Sequence, residues 1–118
     1  MLARWVLPFY WIACFTATHL PPSAIPSVDL FPGFDKCVHF GMYLGLGLLI
    51  LEAFPRLPRR SLSLLAILIC YALIDELSQM LAGRDCEFLD GVADTAGGVV
   101  ALLLFHFTRR QAVPLGKV

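Results

Sequence analysis

Ionisable side chains that lie within or beside long apolar stretches are the residues most able to do chemistry. Asp75, Glu76 and Asp94 lie inside such stretches, and Asp35, His39, Arg84 and Asp90 lie at their ends. A charged side chain at the centre of a bilayer costs about 2.5–3.5 kcal/mol even on lenient insertion scales. A chain that keeps several of these groups near one end of its apolar segments is therefore predicted to contain a polar site.

His39 is one candidate for a general base, and a nearby carboxylate is the other. Asp35, His39 and Tyr43 are spaced at i, i+4 and i+8, so they share one face of a helix. A carboxylate one turn from an imidazole fixes its tautomer and raises its basicity. In the alternative interpretation, Asp35 only caps the helix and His39 reaches the membrane interface.

The other carboxylates come in two groups. Asp75 and Glu76 are adjacent, so on a regular helix they are expected to serve different neighbours, with Gln79 one turn away from both. The depth of Asp75 requires a partner, which could be Arg84, His39, a metal ion or a proton. Asp90 and Asp94 share a helical face at i, i+4.

The elements that must position these groups are four apolar segments. The hydrophobic fraction of 58% exceeds the roughly 45–50% that is typical of soluble domains. The mean hydropathy of +0.77 is likewise that of an apolar chain. Segments of this length without period-two alternation predict helices. We therefore predict an all-α bundle of four transmembrane helices within a single domain, residues 1–118, with helices at Trp5–Leu20, His39–Phe54, Leu62–Met80 and Val92–Phe107.

The first segment could also be read as a cleaved signal peptide, but no small-x-small cleavage site precedes a polar mature start. Net charge is zero and no basic stripe is interleaved with aromatics, which argues against nucleic-acid binding. Two small-xxx-small pairs, Gly41 with Gly45 and Ala93 with Gly97, predict close helix packing. Such packing would bring Asp94, Asp75 and His39 within reach of one another.

Basic residues predict the orientation in the membrane. Lys36 and Arg84 lie on one side, and the other side holds Arg4, Arg56, Arg59, Arg60, Arg109, Arg110 and Lys117. The positive-inside rule then places both termini in the cytoplasm and the polar site on the extracytoplasmic side of a bacterial plasma membrane. Cys37 and Cys86 would both lie in an oxidising compartment, either as a disulfide or as two free thiols.

The order of these polar residues along the chain resembles the VanZ-like family. The matching positions are Asp35, Lys36, His39, Phe40, Tyr43, Asp75, Glu76, Gln79, Arg84, Asp90, Asp94 and Gly97. Asp94 and Glu87 depart from the family pattern, which often has Asn and a small polar residue there. The resemblance implies a small bacterial membrane protein of a family named for a member linked to low-level teicoplanin resistance.

These observations predict a site that binds or acts on a membrane lipid or cell-envelope precursor, with turnover left open. We expect catalytic roles for His39, Asp75, Glu76 and Asp94, and ligand-binding roles for Asp35, Lys36, Tyr43, Gln79, Arg84 and Asp90. A divalent cation on His39 and the buried carboxylates is a further option, as Mg²⁺, Ca²⁺, Mn²⁺ or Zn²⁺.

Two alternatives remain open from sequence. The polar residues could form a network that only locks the helices together, with partner proteins carrying the function. Proton-coupled transport is less favoured, because the cytoplasmic halves of the segments are almost wholly apolar and four helices are few without oligomerisation. The sequence does not decide between a monomer and an oligomer.

Overall fold

The computed structural model describes residues 2–20, 31–57, 59–83 and 86–111. These residues form helices and their connections, without a strand, which confirms the all-α prediction for this part of the chain. The elements in chain order are α1 (Leu2–His19), α2 (Phe34–Ala53), α3 (Arg60–Gln79), a single 3₁₀ turn (Met80–Ala82) and α4 (Phe88–Gln111).

Three of the four helices in the described part of the chain are long and apolar enough to cross a bilayer. These spans are Phe34–Ala53, Arg60–Gln79 and Phe88–Arg109, and no more than 33% of the apolar window in any of them is buried within the bundle. Large apolar side chains such as Trp5, Phe9, Leu73 and Phe107 point outward. A soluble bundle would bury such side chains, so the outer surface suits lipid. Helix α1 has 18 residues and is not among these three spans.

Helices α2 and α4 begin about one turn earlier than the hydropathy pattern predicts. Gly33 precedes α2 in a left-handed conformation with φ of 82°, and Asp35 lies in the first helical turn. Asp90 lies in the first turn of α4. Carboxylates are favourable there because they face the partial positive charge of the helix N-terminus. Hydropathy alone therefore places the first residue of each of these two helices too late in the sequence.

The most extensive contact in the bundle joins α2 to α4, which run parallel. Lys36 contacts Asp90 near the start of both helices, and Glu52 contacts Arg109 near their ends.

A Cβ on Gly97 would meet the carbonyl oxygen of Phe40 and lie 2.9 Å from the backbone nitrogen of Leu44. Only glycine therefore lets the two backbones touch at this point.

The remaining helices pack on this pair. Helix α1 runs antiparallel to α2, because Arg4 Nε donates to the Ala53 carbonyl at 2.7 Å and Tyr10 OH to the Met42 carbonyl at 3.1 Å. Helix α3 packs on α4, where the Leu68 side chain lies against Gly98. Tyr43, Leu46, Leu51, Leu64 and Leu68 form the centre of the core, each no more than 1% exposed.

This arrangement gives the bundle two chemically different ends. At one end, which we call the arginine end, Arg60 donates to the Leu51 carbonyl and its guanidinium lies 4.2 Å from the centre of the Phe105 ring. At the other, which we call the carboxylate end, the last turns of α1 and α3 meet the first turns of α2 and α4. The predicted site residues that the structure describes lie at or near this end.

Gly97 provides a test of the α2–α4 contact. We expect Gly97→Ala to destabilise the protein by about 1–3 kcal/mol, because the added methyl group meets backbone atoms that cannot rotate away. Gly41→Ala is the matched control on the facing helix, since nothing lies within 4 Å of a Cβ there. Thermal unfolding of both variants in detergent, followed by circular dichroism, measures the difference. Equal melting temperatures for the two variants would contradict this account of the contact.

Candidate functional site

The carboxylate end contains an unusual concentration of buried polar groups from all four helices. Each is at most 5% exposed: Thr18, His39, Asp75, Glu76, Gln79, Asp90 and Asp94. The predicted convergence of polar residues from different helices at one end is therefore present. The contacts divide these groups into two clusters.

His39 and Asp94 are the centre of the first cluster. His39 Nδ1 lies 3.1 Å from Asp94 Oδ1, and His39 Nε2 lies 3.9 Å from Asp90 Oδ2. The i, i+4 spacing brings both aspartates of α4 to the same imidazole. The contact expected between Asp35 and His39 is made instead by Asp94, because the close approach of α4 at Gly97 brings its carboxylate beside the ring.

Lys36 occupies the outer edge of this cluster. Its Nζ atom lies 2.6 Å from Asp35 Oδ2, 2.7 Å from Glu87 Oε2 and 3.0 Å from Asp90 Oδ1. One ammonium thus serves three carboxylates. Asp90 contacts Lys36 with one oxygen and faces His39 with the other, so it links the outer edge to the buried interior.

Glu76 enters the first cluster from α3. Its Oε2 atom accepts a hydrogen bond of 3.0 Å from the backbone N–H of Glu87. Its Oε1 atom is buried and has no hydrogen-bond partner among the described residues, and the same is true of Asp94 Oδ2. One ligand atom from each of His39, Glu76 and Asp90 lies within 4.8 Å of the other two.

Asp75 belongs to a second cluster, in which its carboxylate is fully engaged. Oδ1 accepts a hydrogen bond of 3.1 Å from Thr18 Oγ1, and Oδ2 accepts one of 3.0 Å from Gln79 Nε2. His19 adds a contact through Nδ1, 3.7 Å from Asp75 Oδ1. The two adjacent carboxylates serve different neighbours, as predicted: Asp75 faces α1, and Glu76 faces α2 and α4.

The other predicted site residues differ in position. The Tyr43 ring is stacked on Tyr71, with centroids 5.6 Å apart, and its buried hydroxyl has no hydrogen-bond partner within the described part of the chain. Arg84 lies outside the described residues. Cys37 and Cys86 are free and exposed, which corresponds to the free-thiol alternative. Partial desolvation and the neighbouring Glu76 carboxylate raise the pKa of the Cys86 thiol.

Sequence reasoning missed four residues of these clusters. Thr18, His19 and Ser78 belong to the second cluster, where His19 Nε2 lies 2.8 Å from Ser78 Oγ. Glu87 binds Lys36 and, through its backbone, Glu76. A polar pair at the end of an otherwise apolar first segment was a usable signal for Thr18 and His19. The sequence contains no comparable signal for Glu87, because its contacts depend on how α2 and α4 are paired.

Thr18 tests whether the second cluster is structural. We expect Thr18→Val to destabilise the protein by about 1–2 kcal/mol, because Oδ1 of the buried Asp75 loses a hydrogen-bond donor. Thr16→Val is the matched control, since Thr16 lies on the exposed face of the same helix. Chemical denaturation in mixed micelles, with unfolding followed by tryptophan fluorescence, compares the two. Equal stability of the two variants would mean that the Thr18 hydroxyl does not hold α1 to α3.

Comparison with known families finds a match that extends from α1 to α4. The VanZ/LLP1 family model matches residues 3–109, which is nearly the whole chain and includes both clusters. Neither a curated protein nor a solved structure matches the chain. The family match, together with apolar helices suited to lipid, shows a membrane protein. The chain belongs to the VanZ/LLP1 family.

Proposed function

We propose that the protein resides in a bacterial plasma membrane, crosses it four times and keeps both termini in the cytoplasm. The distribution of basic residues supports this orientation, since Arg4, Arg56, Arg59, Arg60 and Arg109 gather at the arginine end. The carboxylate end then faces the extracytoplasmic side. Arg4 limits the hydropathy of α1, but at the membrane surface it can interact with lipid head groups.

We propose further that the first cluster binds or acts on a membrane lipid or a cell-envelope precursor. The supporting observation is the pair of buried oxygen atoms, Glu76 Oε1 and Asp94 Oδ2, without hydrogen-bond partners among the described residues. A network that only locked helices together would satisfy such groups, because each unsatisfied one costs free energy. The simpler explanation is that these two oxygen atoms contact a bound ligand.

Each residue of the first cluster has a role in this proposal. His39, oriented by Asp94, presents the lone pair of Nε2 to the site. Lys36 already serves three carboxylates, so it orders the entrance to the site and leaves little charge for a ligand. Arg84 is the residue that we expect to contact an anionic head group. Lower sensitivity to teicoplanin is the proposed consequence for the cell.

The structural alternative is favoured for the second cluster. Both oxygens of Asp75 accept hydrogen bonds, and Thr18, Gln79 and Asp75 are each at most 4% exposed. We therefore assign Asp75 and Gln79 a role in joining α1 to α3, rather than the catalytic and ligand-binding roles expected from sequence. The two functions lie side by side at one end of the bundle.

Membrane-impermeant maleimide labelling tests the orientation. In intact cells treated with reductant, we expect labelling of Cys37 and Cys86, which are exposed at the carboxylate end. An introduced cysteine, Arg59→Cys at the arginine end, should react only after the membrane is permeabilised. The opposite pattern would reverse the proposed orientation. Labelling that requires reductant would show that Cys37 and Cys86 form the disulfide considered from sequence.

Glu76 provides the test of function. We expect expression of the wild-type protein in a teicoplanin-sensitive bacterium to reduce sensitivity, and Glu76→Gln to abolish the reduction. The purified wild-type protein should also retain phospholipid or envelope precursor, detected by native mass spectrometry, whereas Glu76→Gln should not. The reason is that the amide keeps the shape of the side chain but removes the charge that faces the site.

Glu52→Gln is the matched control, because it makes the same change in an exposed side chain at the arginine end. Both variants are compared at equal abundance in the membrane. Full activity of Glu76→Gln in both measurements would refute the proposed site. Failure of Glu76→Gln alone to accumulate would instead favour the structural network.

A further inference from the structure

The carboxylate end contains more negative than positive charge among its described residues. Asp75, Glu76, Asp90 and Asp94 are all at most 5% exposed. The described cationic groups nearby are Lys36 and, when they are protonated, the imidazoles of His19 and His39. A buried carboxylate without a matching positive charge is unfavourable in a low-dielectric region, and a bound proton or cation would reduce that cost.

Lys36 neutralises only the outer part of this charge. Asp35, Glu87 and Asp90 have oxygens close enough together to hold a metal ion, but the Lys36 ammonium already lies within 3.0 Å of all three carboxylates. That group needs no further cation. The buried Glu76 and the inner oxygen of Asp90 lie beyond this ammonium and face the imidazole of His39.

The geometry of His39, Glu76 and Asp90 suits a divalent cation. Hydrogen bonding of Nδ1–H to Asp94 leaves Nε2 with its lone pair, the usual arrangement for a histidine that ligates a metal. Nε2 lies 3.9 Å from Asp90 Oδ2, and the three ligand atoms lie within 4.8 Å of one another. Bonds of about 2.0–2.2 Å at tetrahedral angles place donor atoms roughly 3.3–3.6 Å apart. Side-chain rotations that draw the three ligand atoms together would complete the site.

A second observation points to a ligand at the same place. Glu76 Oε1 is buried, belongs to a side chain at most 5% exposed, and has no hydrogen-bond partner in the described ranges. The opposite oxygen of the same carboxylate is held by the backbone of Glu87. Glu76 is thus fixed in position with one oxygen free to ligate.

We propose that His39 Nε2, Glu76 and Asp90 bind one divalent cation, with Asp94 as the residue that positions the imidazole. One nitrogen and two carboxylates favour Mn²⁺ or Zn²⁺ over Ca²⁺, which prefers six to eight oxygen ligands. Three protein ligands leave a coordination position for a ligand oxygen. The role of the cation rests on the proposed function: the cation would allow an acidic site to bind a phosphate-bearing lipid.

Mn²⁺ binding to the purified full-length protein tests this site without any lipid. After treatment with chelator, electron paramagnetic resonance of free Mn²⁺ should show one bound ion per chain. Glu76→Gln and Asp90→Asn should each weaken binding at least tenfold. Asp75→Asn should leave the affinity unchanged, because it removes a carboxylate of the same end that is not a ligand. Zn²⁺ should displace Mn²⁺ in a Cys37→Ser/Cys86→Ser double variant, which excludes thiol binding.

A measurement on the wild-type protein keeps the test independent of how the variants fold. Electron spin echo modulation of the bound Mn²⁺ should show coupling to the ¹⁴N nucleus of His39. Absence of stoichiometric binding at 1 mM Mn²⁺, absence of nitrogen coupling, or unchanged affinity in folded Glu76→Gln would each overturn the cation site. Lipid retention and teicoplanin sensitivity are separate measurements, so failure of the cation site is distinguishable from failure of the proposed function.

Discussion

The contact between the backbones of α2 and α4 at Gly97 is the constraint on which the site depends. A parallel pair of helices that touch there brings Asp90 and Asp94 to the side of His39. Helices α2 and α4 are not neighbours in sequence, so this pairing is made by packing rather than by a short connection. Lipid offers no hydrophobic driving force for the association of helices. The close packing of small residues therefore has to stabilise the contact between them.

The two clusters follow from the different directions in which Asp75 and Glu76 point from α3. Asp75 lies where Thr18 and Gln79 can satisfy both of its oxygens, and the cost of burying it is offset by hydrogen bonds between α1 and α3. Glu76, one residue later, points about 100° away around the helix and meets α2 and α4 instead. Adjacent carboxylates on one helix can therefore serve stability and ligand binding separately.

Sequence predicted the helices and the membership of the site better than its pairings. Hydropathy located all four helices, because long apolar runs have few alternatives, but it missed the polar first turns that hold Asp35 and Asp90. Spacing identified His39 and its neighbours on each helix, since i, i+4 relations are local. The partner of His39 proved to be Asp94 rather than Asp35, because that contact depends on the rotation and register of α4. Neither the rotation nor the register of a helix can be predicted from a largely apolar segment.

Lys36 and the proposed cation explain how so acidic a site could receive a lipid head group. If the site held only protein charges, its carboxylates would repel a phosphate, and Lys36 is already surrounded by three of them. A divalent cation on His39, Glu76 and Asp90 would reverse the sign of the field at its open coordination position. Asp94 strengthens such a site in two ways, by orienting the imidazole and by adding negative charge behind it. An acidic residue at this position is then compatible with an anionic ligand, because its charge serves the cation rather than the ligand.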